Sequence, residues 1–286
     1  MNPRTDIRDP EPSTAAFVPR VLVLDLDGTT IDYRQQLHPR VRDAVRAVAA
    51  HMPVIVATGR MYRSALPWAN ELGALQPLVC YQGALVRETP REDGSPGLTI
   101  FEQPLKAAPA RRALHIAREY DWHFQAYQHD ELLCEQDRPE AWLYSQISGV
   151  PFRLVPDLEP LLASGTTKAA CVIDDLAEVD RAIAVMTRGL AGSARVTRSN
   201  PEFVELLDPE VSKAVGCEIV CERLGCSLAD AVAFGDAPND VELLNAAGYA
   251  VAVSTSRPEV IAAADATCAP PEEGGVADML EALGLL

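Results

Sequence analysis

The sequence predicts an α/β protein with a doubly wound, mostly parallel sheet and an inserted α+β domain. Near both ends of the chain, unbroken apolar runs alternate with segments of helical periodicity. This alternation is typical of parallel strands that helices cover on both faces. Between the two ends, from residue 85 to residue 207, the predicted strands are shorter and come in pairs. We therefore expect a core formed by residues 18–84 and 208–286, interrupted by a separate domain at 85–207.

The first half of the predicted core begins with the apolar run over 21–24, which indicates a buried strand. Apolar residues at helical spacing then predict a helix over 39–51, with a proline in its first turn. The elements that follow are a strand over 53–57, a helix near 61–73 and a strand over 78–81. Their order is that of a doubly wound sheet. Residues 1–17, rich in proline and in mixed charges, are expected to form a flexible leader.

The predicted insert opens with a loop over 88–97, whose proline, glycine and charged residues are typical of a domain boundary. Its helices are expected near 107–121 and 176–190. Its strands are expected at 98–103, 123–127, 131–134, 152–155, 168–173, 193–198 and 203–207. The core then resumes with strands at 231–234 and 249–253 and with helices at 212–225, 240–247, 258–264 and 275–283.

Composition and charge argue against several classes of function. The chain has 25 Lys and Arg residues against 41 Asp and Glu residues, so it lacks the cations that nucleic acids or anionic lipids attract. No apolar run approaches the ~18 residues of a membrane span. The seven cysteines are odd in number and form no CxxC pair, which favours reduced thiols in a cytoplasm. We expect no nucleic acid and no membrane as partner, and a monomer or small homo-oligomer.

Polar and charged residues follow the predicted core strands where those strands end. In an open α/β sheet, ligands bind beyond the carboxyl ends of the strands. The residues at these ends, and at the start of the helix over 212–225, are Asp25, Asp27, Gly28, Thr29, Thr58, Gly59, Arg60, Lys213, Asp236, Asn239 and Asp240. Four of them are carboxylates, and such a cluster needs a cation or protons to offset its repulsion. Because every candidate ligand is an oxygen, Mg²⁺ is the natural cofactor.

Asp25 and Asp27 are the pair that indicates phosphate chemistry. Two residues apart in extended chain, their side chains face the same side, roughly 6–7 Å apart along the backbone. One carboxylate would then attack a phosphorus atom while the other reaches an ester oxygen of the same group. Gly28 permits a tight turn beside the ligand, and Thr29 and Thr58 offer hydroxyl and N–H donors to phosphoryl oxygens.

Each motif alone has an ordinary alternative. Asp-x-Asp-Gly after a strand is also typical of a turn, and Lys213 would suit a solvated helix surface. The Asn239-Asp240 pair is also typical of a helix cap. Arg60 would bind a second phosphate or a carboxylate on the substrate, or equally form an ordinary surface ion pair. The coincidence of complementary chemistry at four independent positions favours a single site.

Together these residues resemble the four motifs of the haloacid dehalogenase (HAD) superfamily. The motifs are Asp25-Leu26-Asp27-Gly28-Thr29, Thr58-Gly59-Arg60, Lys213 and Gly235-Asp236-Ala237-Pro238-Asn239-Asp240. The insert between the second and third motifs resembles the α/β (class IIB) cap of the Cof-type phosphatases. The resemblance implies a HAD-like Rossmannoid core with a cap that selects the substrate.

The resemblance also implies a role for each motif residue. Asp25 would be the nucleophile that forms an aspartyl-phosphate, Asp27 the general acid and base, and Lys213 the stabilising cation. The ligands it implies for Mg²⁺ are Asp25, the backbone carbonyl of Asp27, Asp236 and, in support, Asp240. The residues it implies for phosphate or substrate binding are Gly28, Thr29, Thr58, Gly59, Arg60 and Asn239.

The sequence departs from the family pattern at several positions, and its cap has no readable code for the leaving group. Thr30 stands where an apolar residue is commoner, and Gln82 stands where asparagine is usual. In the insert, the polar and aromatic residues over 122–129 would either line the cleft or, as we expect, form the outward face of a half-exposed sheet.

The predicted function is that of a Mg²⁺-dependent phosphatase acting through an aspartyl-phosphate. Its partner would be a small phosphorylated metabolite, a soluble phosphomonoester such as a sugar phosphate or a phosphorylated cofactor. A phosphomutase or phosphotransferase would share Asp25 and Asp27, and a non-catalytic phosphometabolite-binding module would keep the pocket without turnover. Every catalytic position is filled, which favours an enzyme.

Overall fold

The computed structural model describes residues 17–91, 93 and 95–286. The predicted leader, apart from Phe17, lies outside these residues. Across the described ranges, no helix combines the length and the hydrophobicity that crossing a bilayer requires.

The elements follow one another in the order expected of a core with an insert. In the described residues the strands are β1 (Val21–Leu24), β2 (Val54–Val56), β3 (Leu78–Cys80), β4 (Leu85–Arg87), β5 (Thr99–Glu102), β6 (His123–Gln128), β7 (Glu131–Cys134), β8 (Phe152–Leu154), β9 (Lys168–Val172), β10 (Arg195–Thr197), β11 (Phe203–Leu207), β12 (Ala231–Gly235), β13 (Tyr249–Val253) and β14 (Ala266–Cys268). The α-helices of the same residues are α1 (Pro39–Ala49), α2 (Tyr62–Leu72), α3 (Ala107–Glu119), α4 (Pro139–Ser148), α5 (Leu176–Leu190), α6 (Lys213–Arg223), α7 (Val241–Ala246), α8 (Pro258–Ala262) and α9 (Gly275–Ala282). The sequence predicts each of these except β4, α4 and β14.

The core sheet has five parallel strands in the order β14-β13-β12-β1-β2. The chain runs outward from β1 to β2 on one side and from β12 to β14 on the other, so the strand order reverses between β1 and β12. Because parallel strands end at the same edge, the residues that follow β1 and β12 are neighbours. This reversal is where open α/β sheets bind their ligands.

Helices cover both faces of the core sheet. Alternate strand residues such as Leu22 and Val56 pack with α1, α2 and α9 in one apolar cluster. The intervening residues, such as Val23 and Ile55, pack with α6, α7 and α8 in another. Because both faces are buried, the strands have unbroken rather than alternating apolar sequences. The predicted doubly wound α/β fold is confirmed.

A hairpin that the sequence assigns to the insert continues the core instead. β4 pairs antiparallel with β3, and β5 pairs antiparallel with β4. β3 joins β2 through an isolated parallel bridge between Ala57 and Val79. The loop over 88–97, interpreted as a domain boundary, therefore connects two paired strands. By strand pairing, β4 and β5 thus belong with β3 rather than with the six-stranded sheet that the later strands of the insert form.

The insert forms a six-stranded sheet in the order β10-β11-β9-β6-β7-β8, antiparallel except between β7 and β8. Helices α3 and α5 cover one face, where Leu114 and Met186 pack with Ala126 and Cys171. The other face carries α4 and packs toward the core. The predicted α+β insert is confirmed. We refer to this sheet with α3, α4 and α5 as the cap.

Candidate active site

The carboxyl ends of β1 and β12 bring Asp25 and Asp236 together, as the reversal of strand order requires. Lys213, the first residue of α6, places its Nζ 2.5 Å from Asp25 Oδ1 and 2.6 Å from Asp240 Oδ1. Lys213 is 1% exposed, and Asp240 is fully buried. We refer to these four residues, three carboxylates and one ammonium group, as the core cluster.

Backbone contacts hold the core cluster in place. Asp240 Oδ2 accepts the N–H groups of Asp236 and Ala237, each at 3.1 Å. The Oγ of Ser212, the residue that precedes Lys213, accepts the N–H of Val215 and caps α6. One oxygen of Asp240 thus accepts backbone N–H groups, as its alternative role in a helix cap expects. The other oxygen accepts a hydrogen bond from Lys213.

The core cluster has the composition of a site for a hard divalent cation. Asp25, Asp236 and Asp240 each offer a carboxylate oxygen within 4.8 Å of the other two. Oxygen-only ligands suit Mg²⁺ better than a softer metal. The ligand expected from Asp27 is its backbone carbonyl, and its carboxylate points elsewhere, as described below.

Electrostatics show that the core cluster is short of positive charge. Burial, aided by the Asp240 charge, raises the pKa of Asp236 to about 6. Burial also raises the pKa of Asp25 well above its usual range, against the opposing effect of Lys213. Burial disfavours the charge on Lys213 itself, but Asp240 and Asp25 outweigh it and raise its pKa. A further cation or a proton would relieve this excess of negative charge.

Asp27 forms a bidentate ion pair with Arg60. Arg60 Nη2 lies 2.5 Å from Asp27 Oδ1, and Arg60 Nε lies 2.7 Å from Asp27 Oδ2. Arg60 is only 6% exposed, and it also donates to Ser64 Oγ and to the carbonyl of Ile147 in the cap. Arg60 therefore forms an ion pair, as one of its two alternatives expects, but not on the open surface. Arg60 is buried, and Asp27, the predicted general acid, is 22% exposed.

Both carboxylate oxygens of Asp236 accept hydroxyl hydrogen bonds. Thr29 Oγ1 donates to Oδ1 at 3.0 Å, and the Tyr33 hydroxyl donates to Oδ2 at 2.9 Å. Gly28, at φ +82°, lies beside the Asp236 carboxylate, and a Cβ at this position would be only 2.3 Å from Asp236 Oδ2. The tight approach expected of Gly28 is thus present. Tyr33 lies in the loop after β1, and no motif in the sequence indicates it.

Thr30, which departs from the family pattern, is fully buried and satisfies its hydroxyl locally. Its Oγ1 donates to the carbonyl oxygen of Asp25 at 2.5 Å. A polar residue is tolerated there because the hydrogen bond offsets the loss of hydration. The bond also restrains the backbone of Asp25.

The turn over Thr58, Gly59 and Arg60 follows β2 and borders the same space. Thr58 is fully buried, and its Oγ1 accepts the N–H of Arg60 at 3.1 Å. The carbonyl of Gly59 accepts a hydrogen bond from Nζ of the cap residue Lys168 at 2.8 Å. The second motif is therefore in direct contact with the cap.

Asn239 and Gln82 extend this contact toward the fourth motif. Asn239 Nδ2 donates to Gln82 Oε1 at 2.7 Å, and Gln82 Nε2 donates to Glu205 Oε2 at 2.5 Å. Asn239 Oδ1 is buried without a hydrogen-bond partner among the described residues. Asn239 lines the cavity described next.

A cavity of about 40 Å³ lies between core and cap. The core residues that line it are Asp25, Asp27, Gly59, Arg60, Ala237 and Asn239. The cap residues that line it are Tyr144, Ile147, Ser148, Lys168, Ser199, Asn200, Phe203 and Glu205. Asp25 and Asp27 thus line the same partly open cavity.

The polar residues of β6 do not form a solvated face. His123 is 3% exposed, and Gln125 and Tyr127 are fully buried. Gln125 Nε2 donates to the Tyr127 hydroxyl, and α4 lies over them with Tyr144 against Tyr127. The interpretation of these residues as the outward face of a half-exposed sheet is wrong, because α4, which the sequence does not predict, covers them.

Comparison with known proteins agrees with this geometry. The sequence profile of the haloacid dehalogenase-like hydrolases matches residues 22–280. The chain is 26% identical over 271 residues to a phosphoglycolate phosphatase of Archaeoglobus fulgidus, which covers 94% of this chain and 99% of that one. It is 26% identical over 243 residues to an HMP-PP phosphatase of Serratia proteamaculans, with coverage of 84% and 86%.

The fold, cap included, is shared with solved structures. A HAD subclass IIB sugar phosphatase superposes with a TM-score of 0.80 at 17% identity, covering 93% of this chain and 100% of that one. This likeness concerns the fold alone and agrees with the predicted cap class. The family profile reaches from β1 to α9 and includes all four motifs. The protein therefore belongs to the haloacid dehalogenase-like hydrolase family.

Proposed function

We propose that the protein is a Mg²⁺-dependent phosphatase that hydrolyses a small phosphomonoester in the cavity between core and cap. One observation carries the proposal: Asp25, held by Lys213 at 2.5 Å, lines the same cavity as Asp27. The names of the curated relatives, a phosphoglycolate phosphatase and an HMP-PP phosphatase, support the reaction class.

In the proposed reaction, Asp25 attacks the phosphorus atom and forms an aspartyl-phosphate. Asp27 donates a proton to the oxygen of the leaving group as the ester bond breaks. Asp27 then takes a proton from a water molecule whose oxygen attacks the same phosphorus atom. The bond between phosphorus and the Asp25 oxygen breaks, which frees the Asp25 carboxylate and releases inorganic phosphate. Asp27 must carry a proton when the ester binds, and it recovers that proton from the attacking water. Arg60 orients Asp27 while Asp27 is a carboxylate, and their ion pair must loosen whenever Asp27 is protonated.

The donor set of the core cluster fits Mg²⁺. Asp25, Asp236 and Asp240 would hold it, with the backbone carbonyl of Asp27 as the further ligand that the family resemblance implies. Bound Mg²⁺ would neutralise part of the carboxylate charge and polarise the phosphoryl group. Lys213 keeps the Asp25 carboxylate in position and opposes the negative charge that grows on the phosphoryl oxygens.

The charges that line the cavity indicate which charge the leaving group of the substrate can carry. Arg60 is paired with Asp27, and Lys168 is paired with Glu205 at 2.5 Å. No unpaired cation in the described lining is left for a second anionic group, which favours a small, neutral, polar leaving group. A sugar phosphate or a phosphorylated cofactor of modest size meets this requirement.

We also propose a cytoplasmic location and small phosphorylated metabolites as the physiological partners. All seven cysteines are free thiols, as expected in a reducing compartment. The net charge of −16 opposes association with nucleic acid or anionic lipid.

The test is hydrolysis of 4-nitrophenyl phosphate by the purified protein with Mg²⁺ and with EDTA, followed by a panel of phosphorylated metabolites. We expect turnover only with Mg²⁺ and one inorganic phosphate per ester cleaved. Appearance of the phosphoryl group on an added sugar instead of in solution would make the protein a phosphotransferase. Tight binding of a phosphometabolite without turnover of any ester would contradict the enzymatic proposal.

A further inference from the structure

The cap contains a buried ion pair that the proposed chemistry does not use. Lys168 on β9 and Glu205 on β11 are each 1% exposed, and Lys168 Nζ lies 2.5 Å from Glu205 Oε1. A buried ion pair is costly unless its remaining hydrogen-bonding groups are also satisfied. Here both charged groups complete their bonding with partners in the core.

These partners form a continuous hydrogen-bonded bridge. Lys168 donates to the carbonyl of Gly59 at 2.8 Å, Gln82 donates to Glu205 at 2.5 Å, and Asn239 donates to Gln82 at 2.7 Å. The bridge starts at the second motif, passes through the cap and returns to the fourth motif. We refer to these five residues as the cap–core bridge.

Gln82 occupies a backbone conformation that few residues adopt. Its φ is +59°, and that of the preceding Tyr81 is +51°, both in the left-handed region. Such a conformation is unfavourable for residues other than glycine and persists where the surroundings require it. The side chain lies directly over Gly59, where a Cβ would be 2.4 Å from Gln82 Nε2. The backbone is therefore arranged to place this amide between core and cap.

Aromatic rings restrict Lys168 further. Its Nζ lies 4.7 Å from the centre of the Tyr127 ring and 6.0 Å from that of Tyr144. Lys168 lines the cavity, but its ammonium group is bonded to both Glu205 and Gly59, and its charge is already balanced by Glu205. Its place in the structure is that of a group that orients the backbone.

We propose that Lys168 is a positioning residue that gives the phosphate-binding turn its active geometry while the cap is seated on the core. The proposal rests on the proposed phosphatase function. Because a peptide unit is planar, fixing the Gly59 carbonyl also fixes the N–H of Arg60. That N–H donates to Thr58 Oγ1, so Lys168 also sets the direction of the Thr58 hydroxyl, the predicted phosphate donor.

The test removes the pair as a unit, since Lys168→Met alone would leave a buried carboxylate without its cation. In Lys168→Met/Glu205→Gln, we expect KM for 4-nitrophenyl phosphate and Ki for inorganic phosphate to rise roughly tenfold, as expected for one lost charge-assisted hydrogen bond. We expect kcat to change less. Lys168→Arg, which keeps the charge and the donors, should recover part of the loss.

A second readout does not depend on turnover. Hydrogen–deuterium exchange of the peptide over 57–62 should accelerate about tenfold in the double variant at unchanged secondary structure. The control is Arg111→Met/Glu159→Gln, which removes both charges of an ion pair at the surface of the cap. Arg111 lies on α3, on the face of the cap sheet that is turned away from the core, so this variant should change neither readout.

Unchanged Ki and unchanged exchange in a folded double variant would overturn the proposal. If that variant does not fold, Lys168→Gln/Glu205→Gln carries the test, because two neutral amides can bond each other while the shorter side chain at position 168 cannot also reach the Gly59 carbonyl. Normal exchange over 57–62 in that variant would then overturn the proposal. If the wild-type protein hydrolyses no ester, the proposed function fails, while the exchange measurement still decides the role of Lys168.

Discussion

Two buried lysines, one in the core and one in the cap, occupy opposite electrostatic settings. Lys213 and Lys168 are each 1% exposed, and each lies 2.5 Å from a carboxylate oxygen. Two carboxylates bond Lys213 and a third belongs to the same cluster, whereas Glu205 alone balances Lys168. The core cluster therefore keeps surplus negative charge that a cation must offset, and the cap pair is neutral as it stands. We therefore associate the surplus negative charge of the core cluster with metal binding and catalysis, and the balanced charge of the cap pair with positioning of the backbone.

The largest expected contrast comes from one carboxylate-to-amide exchange in each setting. Asp25→Asn removes the proposed nucleophile and should lower kcat by about four orders of magnitude or more. Glu205→Gln should lower kcat by less than about tenfold, because Glu205 touches no reacting atom and its loss is expected mainly in KM. Steady-state kinetics on 4-nitrophenyl phosphate measures both.

The melting temperatures of these two variants should also differ. Asp25→Asn relieves repulsion among buried carboxylates and should not lower Tm, whereas Glu205→Gln leaves Lys168 without its counter-charge and should lower it. Circular dichroism melting curves give both values. Equal losses of kcat, or equal shifts of Tm, would remove the distinction between the two settings.

The metal requirement should depend on the core cluster alone. Asp236→Asn should weaken Mg²⁺ binding about a hundredfold or more, because changes to groups that merely support a ligand already cost about 10–100-fold. Isothermal titration calorimetry measures the affinity. The matched control is Asp265→Asn, at the amino-terminal end of β14 in the same sheet. An equal loss of Mg²⁺ affinity in that variant would contradict the assignment.

Binding of Mg²⁺ should weaken as the pH falls through about 6. Protons compete with the metal for Asp236, whose pKa burial raises to about 6. In the metal-free protein the folded pKa lies above the unfolded value. The charged carboxylate therefore destabilises the fold above about pH 6, and stability is regained as the pH falls toward about 4.

Melting curves of the wild type and of Asp236→Asn, each with and without Mg²⁺, separate these two effects. Mg²⁺ should raise the Tm of the wild type more at about pH 8 than at about pH 5. An equal rise at the two pH values would contradict the competition between proton and metal.

The smallest effect is expected from Tyr33→Phe. The lost hydroxyl supports Asp236 Oδ2, but Tyr33 is 54% exposed and water replaces part of the bond. Mg²⁺ affinity should fall only about threefold to tenfold. Tyr249→Phe, at the start of β13, is the control. A loss as large as that of Asp236→Asn would make Tyr33 more than a supporting group.

Much of the core was predictable because its signals are local in the sequence. Unbroken apolar runs mark β1, β2, β12 and β13, and parallel strands share an edge, so residues that follow them must meet. Asp25, Asp236 and Lys213 could therefore be brought together without coordinates. The spacing of Asp25 and Asp27 likewise predicts one shared cavity.

The remainder depends on contacts between segments far apart in the chain. The pairing of Arg60 with Asp27 is a choice of side-chain conformation, and no sequence pattern encodes it. Lys168 and Glu205 lie in short cap strands whose alternation does not reveal which face is covered. The burial of His123 and Gln125 follows from α4, whose apolar residues are spread around the helix and give no clear periodicity.

The hydrogen bond from Lys168 to Gly59 has a consequence for evolution and engineering. The nucleophile and the metal ligands all lie in the core, so a cap grafted from a relative would leave them intact. The grafted cap would nevertheless bring its own residue to the position opposite Gly59. We expect functional chimaeras to require a hydrogen-bond donor at that position. Core and cap would therefore have to be exchanged together rather than as independent modules.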